Sequence, residues 1–269
     1  IVWFFKENTL VFALTLANLL ACILTAVICI RKGVFPRRQS RTLQLQKQKS
    51  ILQKGLYLFL YNSCFYFILI SIRTIISVNY TVEEFGYFTF SFTIANAVML
   101  LLDSFNTILF PKTIDLMSSD DNKKKADALE KMRVGYILTS HMLVYLAMIC
   151  FPILVWFIPK YMPALSSMNM IALAVLMNTN SYGYSNMLIA QNKEHKAGFI
   201  SAVSLIVNII LGLGLAKILN VEYSYITIAI LVAYMISSFL MAYEGDTILR
   251  REKSLSYTLK HFFPIRMFI

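Results

Sequence analysis

Two ionisable side chains stand inside long apolar stretches, Arg73 within 56–78 and Asp103 within 87–110, and each shares a helical face with other polar residues. Asn62, Tyr66, Arg73 and Ser77 recur at offsets of four, seven and four. Thr89, Thr93, Asn96, Asp103 and Thr107 follow offsets of four, three, seven and four, with Asn106 at the edge. Such spacings place each set on one side of its helix. A charged group at bilayer depth costs at least about 2.5–3.5 kcal/mol on insertion scales, so two of them on adjacent spans point to a polar path through a membrane. Arginine suits anion recognition there, because its planar fork binds phosphate oxygens bidentately. Asp103 suits proton or sodium coupling, with the lone imidazole of His141 as a second candidate. The bland alternatives are snorkelling of Arg73 to headgroups, a carboxyl at Asp103 that glues helices together, and packing of His141 beside Tyr145.

The elements that must position these groups follow from composition. The chain is 58% apolar and 14% charged. Seven stretches, 9–30, 56–78, 87–110, 134–158, 164–190, 198–219 and 224–243, reach the length of a bilayer-crossing helix, which needs about 20 mostly apolar residues. The expected fold is an all-α, polytopic membrane helix bundle of about seven transmembrane helices. Within the fifth stretch the run Asn178-Thr-Asn-Ser-Tyr-Gly183 is polar enough to predict a locally unwound, cavity-lining segment, with Asn178, Tyr182 and Ser185 on one face and Asn186 beside them. Irregular backbone at that depth is tolerated where it does not face lipid. Ser201, Ser204, Asn208, Gly212 and Gly214 in the sixth stretch, and Thr227, Tyr234 and Ser238 in the seventh, read as helix-packing contacts.

A net charge of +11 would point to nucleic acid in a soluble protein, but here the bases sit in alternate links. Arg31 to Lys54, Lys112 to Arg133, Lys193 and Lys196, and the tail from Arg250 hold most of them. By the positive-inside rule these links are cytoplasmic, with the first residue outside and the C-terminus inside. Residues 31–55 read as a basic cytoplasmic linker, either solvated or forming a short interfacial helix on anionic lipid. Residues 113–133, after a Pro111 stop, read as a cytoplasmic elbow helix leading into the fourth span. Cys22, Cys29, Cys64 and Cys150 form no CxxC pair or zinc spacing and read as small buried hydrophobes. No nucleotide-binding or hydrolase motif falls on a link, and no link is large enough for a catalytic domain. The expected protein is a transporter, with no enzyme activity, no cofactor and no metal.

At Val82-Glu83-Glu84-Phe85-Gly86-Tyr87-Phe88, and again at the ending Leu109-Phe110-Pro111-Lys112, the chain resembles the O-antigen-type lipid-linked oligosaccharide flippases of polysaccharide biosynthesis. The segment Ser71 to Ser77 around Arg73, and Ser185 to Lys193 followed by a span with Asn208, extend the likeness. It departs at Asn220 to Tyr225 and at Asp103, where the family pattern has an amide or small residue. The resemblance implies the C-terminal half of a twelve-helix flippase plus one helix: 1–30 the last helix of the N-terminal lobe, 31–55 the inter-lobe linker, 56–243 a six-helix lobe and 244–269 a cytoplasmic tail. The absence of an initiator Met fits the same expectation of a fragment. It further implies a bacterial plasma membrane location and movement of an isoprenoid-diphosphate-linked oligosaccharide to the outer leaflet for O-antigen, capsule or exopolysaccharide assembly. Expected partners are that substrate, membrane lipids, a polysaccharide polymerase and glycosyltransferases, and no nucleic acid. Arg73, Asn62, Tyr66, Thr93, Asn96, Asn178 and Tyr182 would form the substrate path. An ion-coupled multidrug exporter of the same superfamily, a membrane-embedded glycan polymerase and a seven-helix receptor are the alternatives. The polymerase lacks its usual long outer loop, and the receptor its outer disulfide pair.

Overall fold

The computed structural model describes residues 7–31, 41–117, 122–250 and 258. These are helical throughout apart from short turns, and no strand occurs among them. The helices are α1 (Glu7–Arg31), α2 (Arg41–Asn79), α3 (Val82–Met117), α4 (Asn122–Phe157), α5 (Leu165–Thr179), α6 (Tyr184–Ala190), α7 (Glu194–Lys217), α8 (Tyr223–Ile226) and α9 (Ile228–Arg250), with a 3₁₀ turn at Pro159–Ala164. Six segments are long and apolar enough to cross a membrane: Lys47–Asn79, Val82–Leu109, Leu129–Phe157, Pro159–Thr179, Glu194–Lys217 and Tyr223–Ile248. Thr15–Ile28 in α1 is a shorter apolar helix. The protein is thus an all-α, multi-pass membrane helix bundle.

The chain divides into two compact units, Ile1–Leu52 and Gln53–Ile269. In the first, the Thr25 hydroxyl donates to the Ala21 carbonyl at 2.8 Å, which satisfies that hydroxyl within its own helix. The second unit carries the site. Its α3 starts on a capping box: the Thr81 N–H donates to Glu84 Oε2 at 2.9 Å, and the Glu84 N–H donates to Thr81 Oγ1 at 3.3 Å. Helix α5 packs against α3, α4 and α9, and α7 lies against α9. Gly212 of α7 also lets α2 approach, since a Cβ there would stand 2.7 Å from Ile72 Cδ1 and 2.9 Å from Ile75 Cδ1. Small residues serve this purpose between membrane helices, where lipid supplies no hydrophobic drive to association. Asn208 bridges the same pair, donating to the Ile68 carbonyl at 2.9 Å and to Ser71 Oγ at 2.8 Å.

The buried apolar residues form two clusters. The larger runs through Ile68, Ile72, Ile76, Phe88, Leu102, Val144, Met168, Ile171 and Tyr234. The smaller gathers Leu129, Tyr184, Met187, Leu188, Ala197, Ile200, Met241 and Ala242, at the end of the bundle where the basic links lie. What separates them is the polar break in the fifth apolar stretch.

Several boundaries differ from the sequence expectation. Helix α3 continues through Pro111 to Met117, so this proline is not a stop; membrane helices tolerate proline when neighbouring groups satisfy the freed carbonyl. The expected elbow and the fourth span are one helix from Asn122 to Phe157. Helix α2 already begins at Arg41, inside the stretch read as a linker, and α9 extends seven residues past 243 to Arg250. The linker portion 32–40 and the tail, apart from 244–250 and 258, lie outside the described residues.

Candidate functional site

The polar run after α5 breaks the helix as its composition predicts. Helix α5 ends at Thr179 and α6 begins at Tyr184, with Gly183 between them at φ +83°. That left-handed conformation is routine for glycine alone among the residues. A Cβ at Gly183 would also meet Leu129 Cδ1 at 2.5 Å. The carbonyls freed by the break find local donors. Asn178 O accepts from the Ser181 N–H at 3.2 Å and the Ser181 hydroxyl at 2.9 Å, with the Ser238 hydroxyl of α9 at 3.4 Å.

Beside this break lies a cavity of about 510 Å³. Helix α2 contributes Tyr61, Asn62, Phe65 and Tyr66; α3 contributes Asp103, Asn106 and Thr107; α4 contributes Tyr136. The break and α6 supply Asn178, Thr179, Ser181, Tyr182, Ser185 and Asn186, while Ser201 of α7 and Ser237 of α9 complete the polar lining. In α3, α4 and α7 the lining residues fall towards the end that bears the basic links, while in α2 and α9 they sit near the helix middle, between the two apolar clusters. The Tyr136 and Tyr182 rings stack at 3.8 Å between centroids, 15° from parallel. The Asn106 side-chain carbonyl is buried without a hydrogen-bond donor among the described residues. Asp103 is the single carboxylate of the lining, and no Lys, Arg or His joins it.

The cavity therefore brings together Asn62, Tyr66, Asp103, Asn178 and Tyr182. Arg73 lies elsewhere: it continues the Asn62–Tyr66 stripe but sits two turns beyond Tyr66, exposed, with its guanidinium carbon 5.4 Å from the Phe85 ring centroid. Thr93 is exposed and donates to the Thr89 carbonyl at 2.9 Å, and Asn96 is half-buried; neither lines the cavity. His141 is half-buried on α4 with Nδ1 2.8 Å from the Ile137 carbonyl and its ring edge-on to Tyr145, also outside the cavity. Tyr61, Tyr136 and Ser237 line the cavity although no stripe singled them out. The polar periodicity of α2 and α3 could not reveal Tyr136, whose place depends on how α4 meets the break.

A hydrogen-bonded cluster lies at the basic end of the break. Arg133 of α4 donates to Tyr184 Oη at 3.0 Å and to the Asn180 carbonyl at 3.1 Å, and its guanidinium lies 4.6 Å from the Tyr184 ring centroid. The Tyr184 hydroxyl donates to Asp246 Oδ1 at 3.0 Å, and Asp246 Oδ2 accepts from the Thr258 hydroxyl at 3.0 Å. This ties α4, α6 and α9 together and holds the restarted helix in place. In the sequence, Arg133 read as a topology charge and Asp246 as part of a tail.

Chemically, the cavity offers many neutral donors and acceptors, phenol faces and one negative charge. Its size falls within the range of about 300–1,000 Å³ common to small-molecule sites. Among the described residues no group of three or more His, Cys, Asp or Glu is placed to hold a metal ion. The chain matches no protein-family model, and neither a curated protein nor a solved structure matches it.

Proposed function

We propose that the protein is a transporter of the flippase type, moving an isoprenoid-diphosphate-linked oligosaccharide from the cytoplasmic to the outer leaflet of a bacterial plasma membrane. The observation that carries this reading is the polar cavity inside a membrane bundle, lined by amides, hydroxyls and phenols. Sugars need that combination: their hydroxyls pair with amides and hydroxyls, and their apolar faces stack on aromatic rings. The cavity's position at the basic end agrees with loading from the cytoplasmic side under the positive-inside rule. The first residue would then lie outside and the C-terminus inside. Arg73 lies farther along the same stripe, about 10 Å beyond Tyr66 at the helical rise. It is suited to receive the diphosphate as the glycan passes outward.

The test is surface glycan display. In cells that depend on this protein, Asn62→Leu combined with Asn178→Leu is expected to reduce surface glycan at least tenfold while protein abundance stays constant. Arg73→Ala is expected to do the same. Normal display by both variants would overturn the reading.

A second reading, the ion-coupled exporter, is favoured by one specific observation: Asp103 faces the cavity as its single carboxylate. Efflux of a small cation that depends on Asp103 and on a proton or sodium gradient, with glycan display unaffected, would establish that reading instead.

A further inference from the structure

Asp103 is accessible from the cavity, and no ion pair or side-chain hydrogen bond engages its carboxylate among the described residues. Its backbone carbonyl alone is engaged, by the Thr107 hydroxyl at 2.8 Å. An uncompensated charge at bilayer depth is costly. The lining provides no base to offset it. What it does provide is aromatic: the phenols of Tyr61, Tyr66, Tyr136 and Tyr182 line the same space. A carboxylate with aromatic faces is the composition that recognises ammonium groups, through ion pairing and through attraction of the cation to ring faces. Asn106, three residues from Asp103 on the same helix, adds an amide to the same lining. A phosphate or uronate placed here would meet repulsion from Asp103 and find no cation.

We infer that this cavity binds a sugar carrying a free amine, as its ammonium, and discriminates against anionic and N-acylated counterparts. The inference rests on the flippase reading for the sugar and on the lining for the charge. It separates two parts of one substrate: the amine-bearing glycan occupies the cavity, while the diphosphate stays outside it.

The test uses the purified full chain in lipid nanodiscs and isothermal titration with two disaccharides, chitobiose with both amines free and its di-N-acetyl form. The free-amine disaccharide is expected to bind at least tenfold more tightly. Asp103→Asn is expected to abolish that preference, and Asp103→Glu, which keeps the charge, to retain most of it. Helical content and elution volume of both variants establish that they are folded. Equal affinity for the two disaccharides, or a preference that survives Asp103→Asn, would overturn the inference while leaving the flippase reading intact. Asp103-dependent binding of tetramethylammonium or sodium with no binding of either sugar would overturn both, in favour of the exporter.

Discussion

Asp103 and Arg73 stand on the polar faces of adjacent helices yet meet different surroundings. Asp103 faces a cavity rich in phenols and amides, whereas Arg73 is exposed beside Phe85. The spacing of Asn62, Tyr66 and Arg73 identifies a common helix face, but a face runs the length of its helix and a cavity does not. How far the cavity extends along α2 depends on where α7 and α9 close against it, as Asn208 does at Ile68 and Tyr234 does by stacking on Phe65 at 5.1 Å. Asn62, Tyr66, Asp103, Asn178 and Tyr182 were therefore legible as polar stripe residues, while Tyr136 became visible only through its stack on Tyr182. Stacked aromatic pairs contribute about 0.5–1.5 kcal/mol beyond area burial. Tyr136→Ala removes that pair and one phenol from the lining, and is expected to weaken disaccharide binding, measured by titration, with little change in helical content. Unchanged affinity would exclude the phenol pair from the binding surface.

The break between α5 and α6 is the element on which the site depends. Its polar composition announced it, because a run with four side chains able to bond their own backbone, Asn178, Thr179, Asn180 and Ser181, has an alternative to the helical ladder. The α3 and α4 boundaries were less legible: Pro111 and the charged run after it look like punctuation, but α3 runs through the proline and α4 includes much of the charged run. Gly183 tests the break directly. Alanine there would have to adopt φ near +83° and displace Leu129. The left-handed conformation alone costs about 1–2 kcal/mol. Gly183→Ala is expected to lower the midpoint of thermal unfolding in detergent by several degrees and to weaken glycan binding through Tyr182. An unchanged midpoint would mean that the break is not constrained as described. Arg133→Gln is expected to act in the same direction, since it removes a cation from between Tyr184 and the Asn180 carbonyl.

At the scale of the whole molecule, hydrophobic span and charge placement made the helix bundle legible, and their reading of direction can be checked. With the four native cysteines replaced by serine, Thr81→Cys is expected to react with a membrane-impermeant maleimide in intact cells. Asn192→Cys, on the basic end, is expected to react only after lysis. The reverse pattern would invert the bundle and place the cavity on the outer side. What the sequence could not convey is the separation of the core into two apolar clusters with the cavity between them, since that arises from the meeting of α2, α3, α4, α6, α7 and α9.

The proposed role of this cavity is movement of a lipid-linked glycan across the bilayer. Its most direct test is translocation in proteoliposomes containing the purified protein, with proton and sodium gradients imposed and an isoprenoid-diphosphate-linked oligosaccharide supplied in one leaflet. Appearance of the glycan in the other leaflet is read with an impermeant glycosidase. The predicted result is transfer well above that of protein-free vesicles, reduced at least tenfold by Asn62→Leu with Asn178→Leu. Transfer no faster than in protein-free vesicles, from protein shown to be folded, would contradict it.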